Sequence, residues 1–264
     1  MLPGPPCAFL LRGSICPQGA GCCWRHTTCA GRHAYIDLRA DRLTASPDAV
    51  LEAVRVIAAQ PIDDGTVFHA EEARAEIIRD DEEYNGVRVT MTVELASARM
   101  TFHVDVNVGD PVVPTPGSVA LPRLRGGAVT LLGYPLAMVR AEKIITMLER
   151  GEVNTRWRDF ADVYLLAARH DADGDELMAA MEAVAKHRGV RLRGLLPDLA
   201  ALPELAQRRW AAWVRKQHLD DRLPQSFQET FSGVERFADP ALTGSVAGQV
   251  WNTGQQRRQR RVET

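Results

Sequence analysis

The 264-residue chain sets 32 Lys and Arg against 34 Asp and Glu, a formal charge of −2, with 45% apolar residues. That is enough apolar content for one large or two modest globular domains, and the near-neutral balance argues against a global nucleic-acid footprint, so any RNA contact has to come from a local patch. No apolar run approaches the roughly 18 residues a membrane span needs, and the start Met1-Leu2-Pro3-Gly4-Pro5-Pro6 lacks the basic region of a secretory signal, so a cytoplasmic protein with no membrane partner is expected.

Cys7, Cys16, Cys22, Cys23 and Cys29 all fall in the first 29 residues. Cys22 and Cys23 are adjacent and no Cys-x-x-Cys pair exists, so the spacing does not follow zinc-ligand grammar. The stretch 1–36 also contains no Asp, Glu or Lys. Residues 1–34 are therefore set apart as an anomalous, cysteine-rich segment, by frame disruption, a misassigned start or divergence.

Tyr35-Ile36-Asp37-Leu38 predicts a short apolar strand interrupted by one carboxylate. Ser46-Pro47-Asp48 then caps a helix that carries Val50, Leu51, Val54 and Ile57 on one face. Gly86 to Leu95 and Met100 to Val108 read as two strands of a hairpin with a turn at Ala96-Ser97-Ala98. In the second strand Phe102, Val104 and Val106 alternate with His103, Asp105 and Asn107, which places Asp105 on the polar face. Pro111 to Gly127 reads as a proline- and glycine-punctuated connector. Tyr134-Pro135 opens a helix through about Arg150, closed by Gly151 where a left-handed cap is expected. Asn154 to Arg169 is a second helix with Phe160, Val163, Tyr164 and Ala167 at core spacing. From Asp175 to Leu242 the chain is mainly helical. Residues 243–264, including QQRRQRR at 255–261, have few apolar anchors and read as a basic, disordered tail. The domain boundaries expected are 35–130 for a sheet domain and 131–242 for a helical one.

Asp37, Asp105, Lys143 and Asp159 are the residues best suited to one phosphoryl-transfer site. Such chemistry needs carboxylates to hold magnesium and a cation on the triphosphate. Lys143 is one of only three lysines, with Lys186 and Lys216, in a chain that otherwise uses arginine. Val139 and Met147 lie four residues to either side of it, on an apolar stripe. Each residue also has a plainer reading: Asp37 and Asp105 as polar residues on a solvated strand face, Lys143 as a surface lysine lying along apolar surface, and the run 154–162 as a charge-decorated helix start.

Phe102 to Pro111, FHVDVNVGDP, followed by LGYPLAMVRAEKIITMLERGEVNTRWRDFADVYLL at 132–166, resembles the bacterial AbiEii/AbiGii-type nucleotidyltransferase toxins, including the MenT group, and Leu223-Pro224 through Pro240 looks like the family's last helix. The resemblance covers about residues 35 to 240. It implies an α/β (α+β) polymerase-beta-like nucleotidyltransferase fold, a mixed sheet with a mainly helical C-terminal half. The activity implied is nucleotide transfer from an NTP to an RNA acceptor, with tRNA 3′ ends as the acceptor and a cognate antitoxin as partner. On this resemblance Lys143 and Asp159 are catalytic, Asp37 and Asp105 hold magnesium, and Gly13, Ser14, Lys143 and Arg156 bind the nucleotide.

One departure stands out. The family commonly reads T-x-D-x-D-L at the metal strand, whereas His33-Ala34-Tyr35-Ile36-Asp37-Leu38 keeps only the second aspartate. A neutral phenol at position 35 is a poor magnesium ligand. The sequence thus leaves open a weakly active or degenerate transferase and, as the alternative, a catalytically impaired protein that keeps the fold and binds nucleotide, RNA or antitoxin.

Overall fold

The computed structural model describes residues 9–11, 34–40, 43–44, 46–79, 85–109, 111–122 and 126–261. The cysteines and the Gly13-Ser14 pair lie outside these residues. The chain divides into two compact units, Met1–Asp110 with Gly117–Tyr134, and Pro111–Pro116 with Pro135–Thr264.

The first unit is built on a seven-stranded mixed sheet in the order β3-β4-β5-β2-β1-β7-β6. The strands are β1 (Phe9–Leu11), β2 (Ala34–Ala40), β3 (Thr66–Arg79), β4 (Asn85–Leu95), β5 (Ala98–Val108), β6 (Gly117–Pro122) and β7 (Ala128–Gly133), with helix α1 (Pro47–Ala58) between β2 and β3. Period-two alternation sorts the side chains. Val87, Val89, Met91, Val104 and Val106 form a core with Val50 and Val54 of α1, joined by Ile36, Leu38 and Ala40. The intervening positions, Arg88, Thr90, His103, Asp105 and Asn107, therefore belong to the other face. Ser46 caps α1 as expected, its hydroxyl accepting from the Ala49 amide at 3.2 Å.

Parallel pairing of β2 with β5 sets Asp37 opposite Asp105, and antiparallel pairing of β4 with β5 sets Arg88 opposite Asp105. Strand β3 lies at an edge of this sheet. It is interrupted between His69 and Arg74 by a register shift. Arg55 of α1 donates to the carbonyls of Ala70, Glu71 and Ala73 in that bulge, which satisfies groups the ladder leaves unpaired.

Two expectations are corrected in this unit. The turn of the β4–β5 hairpin is Ala96-Ser97 rather than three residues, with Ala96 at φ 53°. The stretch 111–127 is not simply a connector, because β6 forms within it and pairs antiparallel with β7 from Gly117↔Gly133 to Pro122↔Ala128. Its alternating small and apolar residues suffice for a short edge strand, and Pro122 sits at the strand end, where a missing N–H costs least.

The second unit is helical: α2 (Leu136–Arg150), α3 (Trp157–Arg169), α4 (Gly174–Arg188), α5 (Leu196–Leu199), α6 (Leu202–Lys216) and α7 (Phe227–Leu242), with a short 3-10 turn at Gly151–Val153. Gly151 has a positive φ of 56° but a ψ of −145°, so it turns the chain into that 3-10 segment rather than forming the left-handed cap expected. Phe160 and Trp210 pack on Phe227 with centroids 5.2 and 5.1 Å apart. Helices α3 and α7 approach so closely that a Cβ at Gly233 would meet the Tyr164 ring at 2.6 Å.

The tail expectation is also corrected. Residues beyond 242 continue into β9 (Gln249–Asn252) and β10 (Arg257–Arg260), a hairpin that joins the two-residue strand β8 (Ala172–Asp173). Trp251 anchors it, buried and donating through Nε1 to the Ala167 carbonyl at 2.7 Å. Arg258 donates to the Phe237 carbonyl and lies over the Phe237 and Trp251 rings. One aromatic and one arginine with a buried acceptor hold what composition reads as unstructured. Among the described residues, no helix is long and apolar enough to cross a membrane.

Candidate functional site

In the second unit, α2 and α3 bring one cation against two carboxylates. Lys143 lies 3.1 Å from Asp159 Oδ1 and 2.7 Å from Asp162 Oδ2. Its side chain is 17% exposed, against 7% for Asp159 and 16% for Asp162. The surface reading of Lys143 is thereby set aside. The stripe of Val139 and Met147 turns this face of α2 inward, and Asp159 and Asp162, three apart on α3, present both carboxylates on one helical face.

Burial alone would lower the Lys143 pKa, but Asp162 and Asp159 outweigh it and hold the ammonium above its ordinary value. Arg156 grips the second oxygen of Asp159 through Nε at 3.1 Å. The Arg156 amide in turn donates to Asn154 Oδ1 at 2.7 Å, which fixes the chain just before α3. Asp159 therefore orients two cations at the start of a helix whose dipole also favours its negative charge.

In the first unit, Asp37 and Asp105 sit in register on adjacent parallel strands, a spacing of about 4.8 Å between backbones. Arg88 closes a fork on Asp105, with Nε to Oδ1 at 2.7 Å and Nη2 to Oδ2 at 2.7 Å. Beside this pair His103 Nδ1 lies 2.9 Å from Thr90 Oγ1. Tyr35 is the register partner of His103.

Magnesium calls for hard oxygen ligands. Two hard carboxylates in register are the right ligand type, but both oxygens of Asp105 are engaged by Arg88, and the residue two before Asp37 is a tyrosine. As arranged, Asp37 and Asp105 do not fit a two-carboxylate magnesium site. Among the described residues, the group with ligand atoms close enough to gather on an ion is His69, Glu71 and Glu72 of β3, within 4.8 Å of one another. Glu71 and Glu72 are exposed and His69 is half-buried, and the group is already paired: His69 with Glu94 at 3.2 Å and Glu72 with Arg99 at 2.9 Å.

The structure thus brings Lys143, Asp159 and Arg156 together in one unit and Asp37 and Asp105 together in the other; Gly13 and Ser14 fall outside the described residues. Sequence reasoning did not assign Asp162 or Arg88. Asp162 was legible from its i,i+3 relation to Asp159. Arg88 was legible from the hairpin, because a two-residue turn at 96–97 fixes the register that sets 88 opposite 105, whereas a three-residue turn shifts it by one.

A model of the family described as nucleotidyl transferase AbiEii toxin, type IV toxin–antitoxin system, matches residues 36–233. That span contains Asp37, Asp105, Lys143, Arg156 and Asp159, and starts just after Tyr35. No curated protein matches the chain. Among solved structures the chain is similar to JHP933 from Helicobacter pylori, at 13% identity and a TM-score of 0.42, over 92% of this chain and 86% of that one. It is also similar to a candidate nucleotidyltransferase from H. pylori, at 13% identity and a TM-score of 0.41, over 92% and 88% of the two chains. The family match covers well over half of the sequence, and the chain belongs to the nucleotidyl transferase AbiEii toxin family of type IV toxin–antitoxin systems.

Proposed function

We propose that this chain grips the triphosphate of an NTP with Lys143 and delivers the nucleotide to an RNA acceptor, with a tRNA 3′ end as the acceptor class and a cognate antitoxin as its partner. The observation that carries the reading is the Lys143 ammonium held by Asp159 and Asp162. An ammonium has three N–H donors. The two carboxylates fix its position and keep it charged while a further donor remains to meet a phosphate oxygen.

Lys143 suits this work as a compact point charge. Arg156, half-exposed and tethered by Asp159, is the second cation this reading offers to the phosphates. Asp159 holds both cations at a set spacing, so the site is organised before nucleotide arrives. Gly13 and Ser14, which the resemblance assigns to nucleotide binding, lie outside the described residues. Magnesium, the cofactor that resemblance assigns to Asp37 and Asp105, is held weakly on this reading, because Arg88 takes both oxygens of Asp105 and Tyr35 supplies no carboxylate.

The second reading, a protein that binds nucleotide, RNA or antitoxin without turnover, is favoured by that same Arg88–Asp105 pair. Incubating purified protein with each labelled NTP and total tRNA separates the two. Magnesium-dependent labelling of RNA that disappears in Lys143→Ala supports transfer. NTP binding without labelling supports the second reading, and neither binding nor labelling removes both.

A further inference from the structure

We propose that Arg88 is a built-in counter-cation that occupies Asp105 in place of a divalent ion and keeps metal out of the Asp37–Asp105 pair until it is displaced. This deepens the proposed function, since Asp105 is the carboxylate that reading offers to metal.

The argument begins with charge. Asp37 and Asp105 are in-register partners on neighbouring parallel strands. Two carboxylates carried on neighbouring strands in register repel, and partial burial, with Asp105 15% exposed, strengthens the repulsion by removing water. A positive charge at this place relieves that repulsion. A metal ion is one way to supply it. In this chain the supply is covalent: Arg88 is placed opposite Asp105 by the β4–β5 register.

Its geometry is that of a strong pair. Both contacts are 2.7 Å, and each carboxylate oxygen receives its own N–H. Fork-to-fork arginine–carboxylate pairing is the favoured charge-assisted arrangement, and the guanidinium stays charged at any pH the protein tolerates. The ladder holds Arg88 at high effective concentration, whereas a metal ion arrives from solution and must give up water to enter. An ion that approaches an Asp105 oxygen meets the Arg88 charge already seated there, so metal and guanidinium compete for the carboxylate.

A guanidinium that leaves a carboxylate pairs well with another bidentate acceptor, and a phosphate offers a similar oxygen spacing. Arg88 is thus suited to exchange Asp105 for a phosphate group, which would free Asp105 for metal only when a phosphate is present. The Tyr35 position fits this arrangement. With one carboxylate fewer than the family pattern, less metal charge is called for, and a resident arginine suffices.

The test is a Mn2+ titration of the intact chain, read by the EPR signal of free Mn2+ and with no nucleotide present. Its outcome is therefore separable from any failure of NTP binding or transfer. Arg88→Ala should bind Mn2+ about tenfold or more tightly than the unaltered chain, the scale on which neighbouring groups tune metal affinity. Arg88→Ala combined with Asp105→Asn should lose the gain. Arg88→Lys, which keeps the charge but cannot fork, should gain less in the same direction, and it supplies the comparison if circular dichroism shows that Arg88→Ala is unfolded. Equal Mn2+ affinity in the unaltered chain and the folded Arg88 variants would overturn the proposal, as would a gain that survives the loss of Asp105.

Discussion

The Lys143 ammonium lies 2.7 Å from an Asp162 carboxylate oxygen, a partner supplied by the helix that follows the one carrying the lysine. With Asp159 it forms a three-residue cluster largely shielded from water, and removing one member of such a cluster leaves the others uncompensated. Lys143→Ala should therefore cost about 3 kcal/mol of stability, because Asp162 then loses its ammonium partner and Asp159 keeps only Arg156. Urea denaturation at pH 7 measures it. Asp162→Asn should cost less, since Asp159 still pairs with the lysine. A loss below that of Asp162→Asn would mean that the ammonium does little in the folded state.

The same cluster has a direction with pH. The Lys143 pKa is raised above its ordinary value of 10.5, so its stabilising contribution is complete below that value and declines as pH rises through the raised one. In the neutral range it is constant, and neutral-pH comparisons of variants are free of this titration.

His69 titrates where solution experiments are made. The Glu71 hydrogen bond, with Glu94 and Glu72 adding, raises its pKa above 6.5 and outweighs an opposing desolvation. The contribution of this half-buried group to stability is fully present below pH 6.5 and falls as pH climbs past the raised value. NMR titration of His69 should give a pKa above 6.5 that drops in Glu71→Gln. An unchanged pKa in that variant would remove Glu71 as the cause.

Much of the fold can be read from the chain because its signals are local. Ser46-Pro47 and the apolar spacing after it specify α1, Tyr134-Pro135 opens α2, and the alternation Phe102 to Val106 gives β5 its two faces. Strand β3 escapes such reading because Glu71, Glu72, Arg74 and Glu76 make an edge strand look like a charged loop, and its bulge is closed by Arg55, a partner 15 residues away from Ala70. The hairpin at 249–260 escapes for a similar reason: what holds it is long-range, with Trp251 reaching Ala167 across 84 residues. Lys143 and Asp159 are legible as a motif, while Arg88 depends on a turn length that must be right to the residue.

Arg140 is 2% exposed and donates to the carbonyls of Leu166, His170 and Asp171, which closes the C-terminus of α3. Burial pushes its pKa down to about 10, still far enough above neutrality to leave it charged. Arg140→Met fills similar volume but strands three acceptors, so it should cost about 3 kcal/mol or more. Thermal denaturation checks this. A melting point within a degree or two of the unaltered protein would show that those carbonyls find other donors.

Trp251→Ala should destabilise the second unit by about 3–5 kcal/mol, the range for a buried aromatic, because both its packing on Phe237 and its bond to Ala167 are lost. Truncation after residue 248 should do at least as much harm. Unchanged stability in the truncated chain, followed by urea denaturation, would return 249–261 to the status of a dispensable tail.

Calorimetric titration of each NTP into the intact chain and into Lys143→Ala, with thermal melts to confirm that both are folded, tests the central claim most directly. The account predicts at least one NTP that binds the unaltered chain and binds the folded variant roughly tenfold or more weakly, the loss expected for one charge-assisted phosphate contact. Equal affinity in the two folded proteins would contradict it.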